Sequence, residues 1–317
     1  MNAKGKKGEN TSNNRRLFIV SIVIMIALIL SGLYFYLLPK PPTSPKAAII
    51  DQLGSSQLST ISRYENQLFI NSTMNLLSSR FAQVDYYSDN ATVENYKRLS
   101  SLGYRIIIWR AHSAIDNKSN YIAISTTETY GSTNYNQYLS NGQLTVCQIV
   151  GDSKEYIGIT PKFIQEIMTG RFEDTVIILM SCNGLKTNYY STAQALVAKG
   201  AKVIVSWDGW IEKPDNDHAI TLFLQRFLFQ NSTISEATTS MPTYLSQYGP
   251  CTLRYYPDPE MSDYHIPYYR QANSSKAEFI IAVAVSSSNI SQDTKILRSL
   301  IFQTDRYLMR LETAENN

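Results

Sequence analysis

Two apolar runs decide the fold: YRIIIWR at Tyr104–Arg110 and TVIILM at Thr175–Met180. Each is a short, continuous stretch rich in β-branched residues, the pattern of a strand buried on both faces. Weaker runs of the same kind lie outside them. Ala47–Leu53 (AAIIDQL) reads as the first strand, Gln83–Tyr87 as a second, Lys202–Ser206 as another, and Glu278–Val285 (EFIIAVAV) as a late one. Helical spacing fills the gaps between them. Phe69, Thr73, Leu76 and Leu77 share a face, as do Val93, Tyr96, Leu99 and Leu102 between Thr92 and Gly103. Thr160-Pro161 opens a helix that Gly170 closes, and Ser191–Lys199 is a helix stopped by Gly200. Ile220, Phe223, Leu224, Phe227 and Leu228 form an apolar stripe capped by Asp217, and Leu297, Leu300, Ile301, Leu308 and Leu311 mark a final helix. Strand and helix in alternation predict an α/β domain over residues 47–317, with a mostly parallel sheet covered by helices on both faces. Ala114–Thr160, rich in Asn, Ser, Thr and Tyr, reads as a hairpin insertion with strands near Tyr121–Thr126 and Leu144–Val150.

The N-terminus has a different character. Residues 1–16 hold five basic side chains and one acidic, a balance of +4 against +3 for the whole chain, so the remainder is −1. The basic charge belongs to a tail, which removes the usual electrostatic footprint of nucleic-acid binding. Leu17–Leu38 is uncharged. At about 1.5 Å per residue such a run crosses a hydrocarbon core of roughly 30 Å. The expectation is a basic tail (1–16), a transmembrane helix (17–38), a Pro-rich linker (39–46) and a domain outside the cell membrane, oriented by the positive flank. Sequons at Asn71, Asn90, Asn117, Asn231, Asn273 and Asn289 fit that placement. The odd cysteine count, Cys147, Cys182 and Cys251, suggests one disulfide with a free thiol, or an intermolecular bond.

The chemistry gathers at strand ends. In an open parallel sheet, function lies just beyond the carboxyl ends of the strands. YRIIIWR runs into Ala111-His112-Ser113, and TVIILM runs into Ser181-Cys182-Asn183-Gly184. If these strands are neighbours, a thiol and an imidazole share one edge, the minimum for nucleophilic acyl transfer. Gly184 lets the chain turn, and the N-terminus of the following helix favours a thiolate. The blander reading is that Cys182 is packing and His112 a hydrogen-bonded surface residue. Asp215, Asp217 and His218 read as a solvated helix start and not as a metal site, and Tyr255–Tyr269 reads as a surface loop. No P-loop or G-x-G-x-x-G occurs, so neither cofactor nor metal is expected.

A histidine after one core strand and a cysteine after the next resembles the caspase-like cysteine peptidases. Val176–Phe229 is most similar to their CHAT domains: a strand ending Ser-Cys-x-Gly, a helix ending in Gly200-Ala201, the strand KVIVS, Trp207 and an aromatic-rich helix. The resemblance implies a caspase-like fold over residues 47–245. It implies Cys182 as nucleophile, His112 as general acid/base, and an oxyanion site from the backbone N–H groups of Cys182 and Ser113. Ser113 stands where the family usually has glycine, and Met180 where metacaspases carry an acid. Asp208, after KVIVS, falls where related peptidases place a specificity residue; it predicts a preference for Arg or Lys. A nucleophile that stays reduced leaves Cys147 and Cys251 to pair. The expected partners are a membrane and a protein or peptide substrate, with the oligomeric state unreadable. The rival expectation is an inactive caspase-like module serving as a receptor or interaction domain.

Overall fold

The computed structural model describes residues 45–267 together with Met25. In chain order the elements are β1 (Lys46–Asp51), α1 (Gln67–Ser78), β2 (Gln83–Tyr87), α2 (Val93–Arg98), β3 (Tyr104–Arg110), β4 (Ser113–Asp116) and β5 (Tyr121–Thr129). Then come α3 (Asn136–Ser140), β6 (Leu144–Gln148), β7 (Glu155–Ile159), α4 (Pro161–Glu166), β8 (Thr175–Met180), α5 (Ser191–Ala198) and β9 (Ala201–Trp207). The described part closes with α6 (Lys213–Phe229), α7 (Ile234–Thr239), β10 (Tyr244–Ser246), β11 (Gly249–Cys251) and β12 (Leu253–Tyr256).

Six strands form the central sheet in the order β12-β9-β8-β3-β1-β2. Side chains alternate across it. Ile106, Ile108, Val176, Ile178, Val203 and Val205 pack on the side of α1 and α6, with Phe69, Phe223 and Phe227. Ile107, Trp109, Ile177, Leu179 and Ile204 pack on the other side, against Tyr96, Phe163 and Leu196 from α2, α4 and α5. Burial on both faces is what makes these strands continuous apolar runs. Gly200 carries φ +110° and lies so close to the Phe172 carbonyl that a Cβ would collide with it. Only glycine makes the turn from α5 into β9 there.

Three expectations are corrected. The first concerns the sheets. Among the described residues five of the nine strand pairings are antiparallel, so the architecture is mixed α/β and not a mostly parallel sheet. The stretch read as a hairpin insertion builds its own antiparallel sheet, β4-β5-β7-β6. Its Ile124, Ile157 and Ile159 complete one apolar core. The stretch around Tyr255 does not stay a loop either, since β12 adds antiparallel to β9.

The second is the membrane anchor and the single-pass cell-membrane placement. Among the described residues no helix is long and apolar enough to cross a membrane. The longest of them, α6, has 17 residues and includes Lys213, Asp215, Asp217 and Arg226. Of Leu17–Leu38 only Met25 is described, and the late strand at Glu278–Val285 and the final helix lie outside the described residues.

The third is the start of α6. Glu212 is its N-cap residue and Pro214 falls in its first turn, while Asp217 is buried inside the helix rather than capping it.

Candidate functional site

The neighbouring strands β3 and β8 run parallel, with Arg110 opposite Met180 in the register. His112 and Cys182 each lie two residues beyond that pair, so both chain ends open on the same edge. A hydrogen bond locks them together: the Ser113 hydroxyl donates to the Cys182 carbonyl oxygen over 2.5 Å. The Ala111 amide donates to the Met180 carbonyl one step earlier. Beyond the cysteine the chain turns on Asn183, with φ +59°. Gly184 meets a different need, because a Cβ there would strike the Ser206 hydroxyl.

His112 is fixed on three sides. Its amide donates to Gln52 Oε1 at 3.0 Å. Its carbonyl accepts from the Ser125 amide. Its ring Nε2 lies 2.7 Å from the Ser62 carbonyl oxygen. A carbonyl only accepts, so Nε2 carries the hydrogen and Nδ1 keeps its lone pair. Burial brings the imidazole pKa down to about 4, helped by the charges of Lys213 and Arg110 and opposed by the Ser62 bond and Asp152. The ring is neutral at pH 7.

The Cys182 sulfur faces the Ile211 carbonyl at 3.7 Å. Burial raises its pKa, and Glu212 adds to that, while the Ile211 contact, Lys213 and the Cys182 backbone pull the other way. The resting sulfur is a thiol. The helix after it, α5, begins at Ser191, well past the cysteine. The helix start that approaches the sulfur is that of α6, through Ile211 and Lys213. In the antiparallel ladder the Ser125–His112 bond makes Ser113 and Ile124 a pair that exchanges no hydrogen bond. The Ser113 N–H therefore points away from β5.

The other expected residues are placed elsewhere. Asp208 accepts from the Thr252 amide at 2.7 Å, the Thr252 hydroxyl at 2.6 Å and Arg254 Nε at 3.0 Å. Burial raises its pKa, but these bonds outweigh it and hold the carboxyl below the usual range. Its carboxylate fastens β9 to β12. The three cysteines are free thiols. Cys147 lies in the antiparallel sheet with its sulfur over Gly158, and Cys251 packs against Gly209 beside the central sheet. Burial pushes both thiols up to about 12. Among the described residues no group of His, Cys, Asp and Glu could hold a metal ion.

Sequence reasoning missed the charged cluster beneath the site. Arg110, at the end of β3, is fully buried and spans two carboxylates. Its Nη1 reaches Asp51 Oδ1 at 2.5 Å, and its Nε and Nη2 take both oxygens of Asp217 at 2.9 and 3.0 Å. Nη1 also donates to the Tyr64 carbonyl, and the guanidinium lies over the Tyr64 and Phe69 rings. The signal was present: Asp51 and Arg110 are charges directly following the apolar runs at residues 47–50 and 106–109, and buried charges are almost always paired. Lys213 was missed as well. Its Nζ contacts the carbonyls of Ile61 and Ser62 at 3.4 and 3.5 Å, so it shares the Ser62 oxygen with His112.

No family model matches the chain, and no curated protein matches its sequence.

Proposed function

We propose that the chain is a cysteine peptidase in which Cys182 is the nucleophile and His112 the general acid/base. The observation that carries this reading is the Ser113–Cys182 hydrogen bond, which fixes the histidine-bearing and cysteine-bearing strand ends side by side. The likeness of Val176–Phe229 to CHAT domains of the caspase-like peptidases supports it.

The chemistry balances with the groups present. The Cys182 S–H proton passes to His112 Nδ1 as sulfur attacks a peptide carbonyl, forming the C–S bond. The N–H groups of Cys182 and Ser113 receive the oxyanion. Collapse breaks the C–N bond, and the imidazolium gives its proton to the departing amine. Water then attacks the thioester, loses a proton to His112, and releases the acid while the thiol re-forms. Because Asp208 is engaged with Thr252 and Arg254, the reading assigns no basic-residue preference to it.

The test is hydrolysis of a peptide library by the full chain. Cys182→Ala should abolish it with the fold retained, and His112→Ala should slow it by about 10²- to 10⁴-fold. Hydrolysis that survives Cys182→Ala refutes the reading. One observation favours the rival, an inactive caspase-like module that serves as a receptor or interaction domain. The hydrogen the reaction must move is already given elsewhere, from the Cys182 thiol to the Ile211 carbonyl. That module would take up a thiol-directed electrophile slowly and release no peptide product.

A further inference from the structure

Ser62, whose carbonyl holds His112, is held by two opposite charges, a carboxylate at its hydroxyl and an ammonium at that carbonyl. The Asp152 carboxylate accepts hydrogen bonds from the hydroxyls of Ser59 and Ser62. It also accepts from the Tyr156 hydroxyl at 3.0 Å and the Lys154 amide at 2.9 Å. Asp152, Ser62 and Tyr156 are buried. The Ser62 amide returns to the Ser59 hydroxyl, so residues 59–62 form a loop wound around one carboxylate. On the other side, Lys213 at the start of α6 points its ammonium at the same carbonyl. No carboxylate pairs with Lys213 among the described residues' ion pairs.

We propose that Asp152 and Lys213 are positioning residues for His112, acting on the imidazole through and around the Ser62 carbonyl with opposite signs. Asp152 orients the carbonyl and favours the imidazolium. Lys213 opposes the imidazolium and, from the same place, favours negative charge on Cys182. With burial as the larger cause, the base is neutral while the nucleophile is a thiol, and the two side chains set the imidazole from opposite directions around that point. Arg110, at the end of β3, also acts on the ring and is offset by Asp51 and Asp217, while Glu212, beside Lys213, acts on the Cys182 sulfur. The inference rests on the dyad reading for its meaning but not for its test.

The test is an NMR titration of His112 in the full chain. The chain has three histidines, His112, His218 and His265, so the ring signal is assigned with His112→Ala. In the wild type the midpoint should fall near 4. Lys213→Met should raise it by on the order of one pH unit, and Lys213→Arg should restore it. Asp152→Asn is read in the Lys213→Met background, where the higher start keeps the titration clear of acid unfolding. It should shift the midpoint back down, and Asp152→Glu should not. Asp152→Ser is a second neutral replacement if the asparagine variant does not fold. Opposite shifts establish the pair whether or not peptides are cut. Shifts of the same sign, or no shift in either variant, overturn it. Absence of hydrolysis by the wild-type chain with the opposite shifts intact would refute the peptidase reading alone.

Discussion

Replacing Arg110 by methionine removes the one cation between two buried carboxylates. Four donated hydrogen bonds vanish: one to Asp51, two to Asp217 and one to the Tyr64 carbonyl. The carboxylates keep lesser partners. Asp51 retains the Gly54 amide and the Tyr86 hydroxyl, and Asp217 retains the Asn66 side chain. Breaking a buried ion pair from one side costs about 3–5 kcal/mol, since a charge is left uncompensated. With some partners retained the variant should sit inside that range and lose on the order of 10 °C in Tm. The loss should depend on pH. Burial already raises the pKa of Asp217 in the presence of Arg110, and removal of the cation raises it further. A carboxyl with a raised folded-state pKa contributes stability below its unfolded value of about 3.9, and that contribution fades as pH climbs through the folded value. Arg110→Met should therefore be closest to wild type near pH 4–5 and furthest from it near pH 8. Urea unfolding followed by circular dichroism at those two pH values measures both effects. A variant within about 1 kcal/mol of wild type at pH 8 would show that the cluster is not held by charge pairing, and the reasoning would fail.

Four further outcomes are expected. In the folded chain at pH 8, iodoacetamide should add once, at Cys182, because Cys147 and Cys251 are buried with thiols pushed up to about 12; mass spectrometry counts the adducts. Asp208→Ala should cost about 1–3 kcal/mol by releasing Thr252 and Arg254, with no change in substrate preference, as denaturation and library profiling would read. The Asp208 carboxyl is depressed, so its contribution should be present above about pH 3.9 and vanish on acidification through its lower folded value. Gly200→Ala should cost more than about 1 kcal/mol, because the residue is at φ +110° and its new methyl would meet the Phe172 carbonyl; a thermal melt decides it.

Legibility followed solvent exposure. YRIIIWR and TVIILM were readable because a strand buried on both faces leaves an unbroken apolar run, and their ends placed His112 and Cys182 on one edge. Residues 113–160 were harder, since Ser, Thr and Tyr alternate there with Ile. Polar groups such as Thr126 turn inward and bond to backbone, so composition suggested a hairpin insertion where a four-stranded sheet forms. β12 was hidden for a related reason: Tyr255 and Tyr256 serve an edge strand that packs only partly. Asp217 looked like a helix cap because Asp is common at that position. Its burial depends on Arg110, 107 residues away, and local pattern carries no such information. Asp208 looked available for the same reason, with Thr252 and Arg254 more than 40 residues further on.

The cluster around Arg110 joins residues 51, 110 and 217, and the ammonium at 213 arrives on the same helix as the last of them. Synthesis runs from the first residue to the last, and domains gather as they emerge. A growing chain displays the histidine and then the cysteine before it owns α6. During that interval Arg110 has one carboxylate, the Ser62 carbonyl lacks its ammonium neighbour, and the sulfur lacks the Ile211 oxygen. His112 and Cys182 therefore reach their final surroundings only when α6 arrives, and a single helix times the completion of this edge of the sheet.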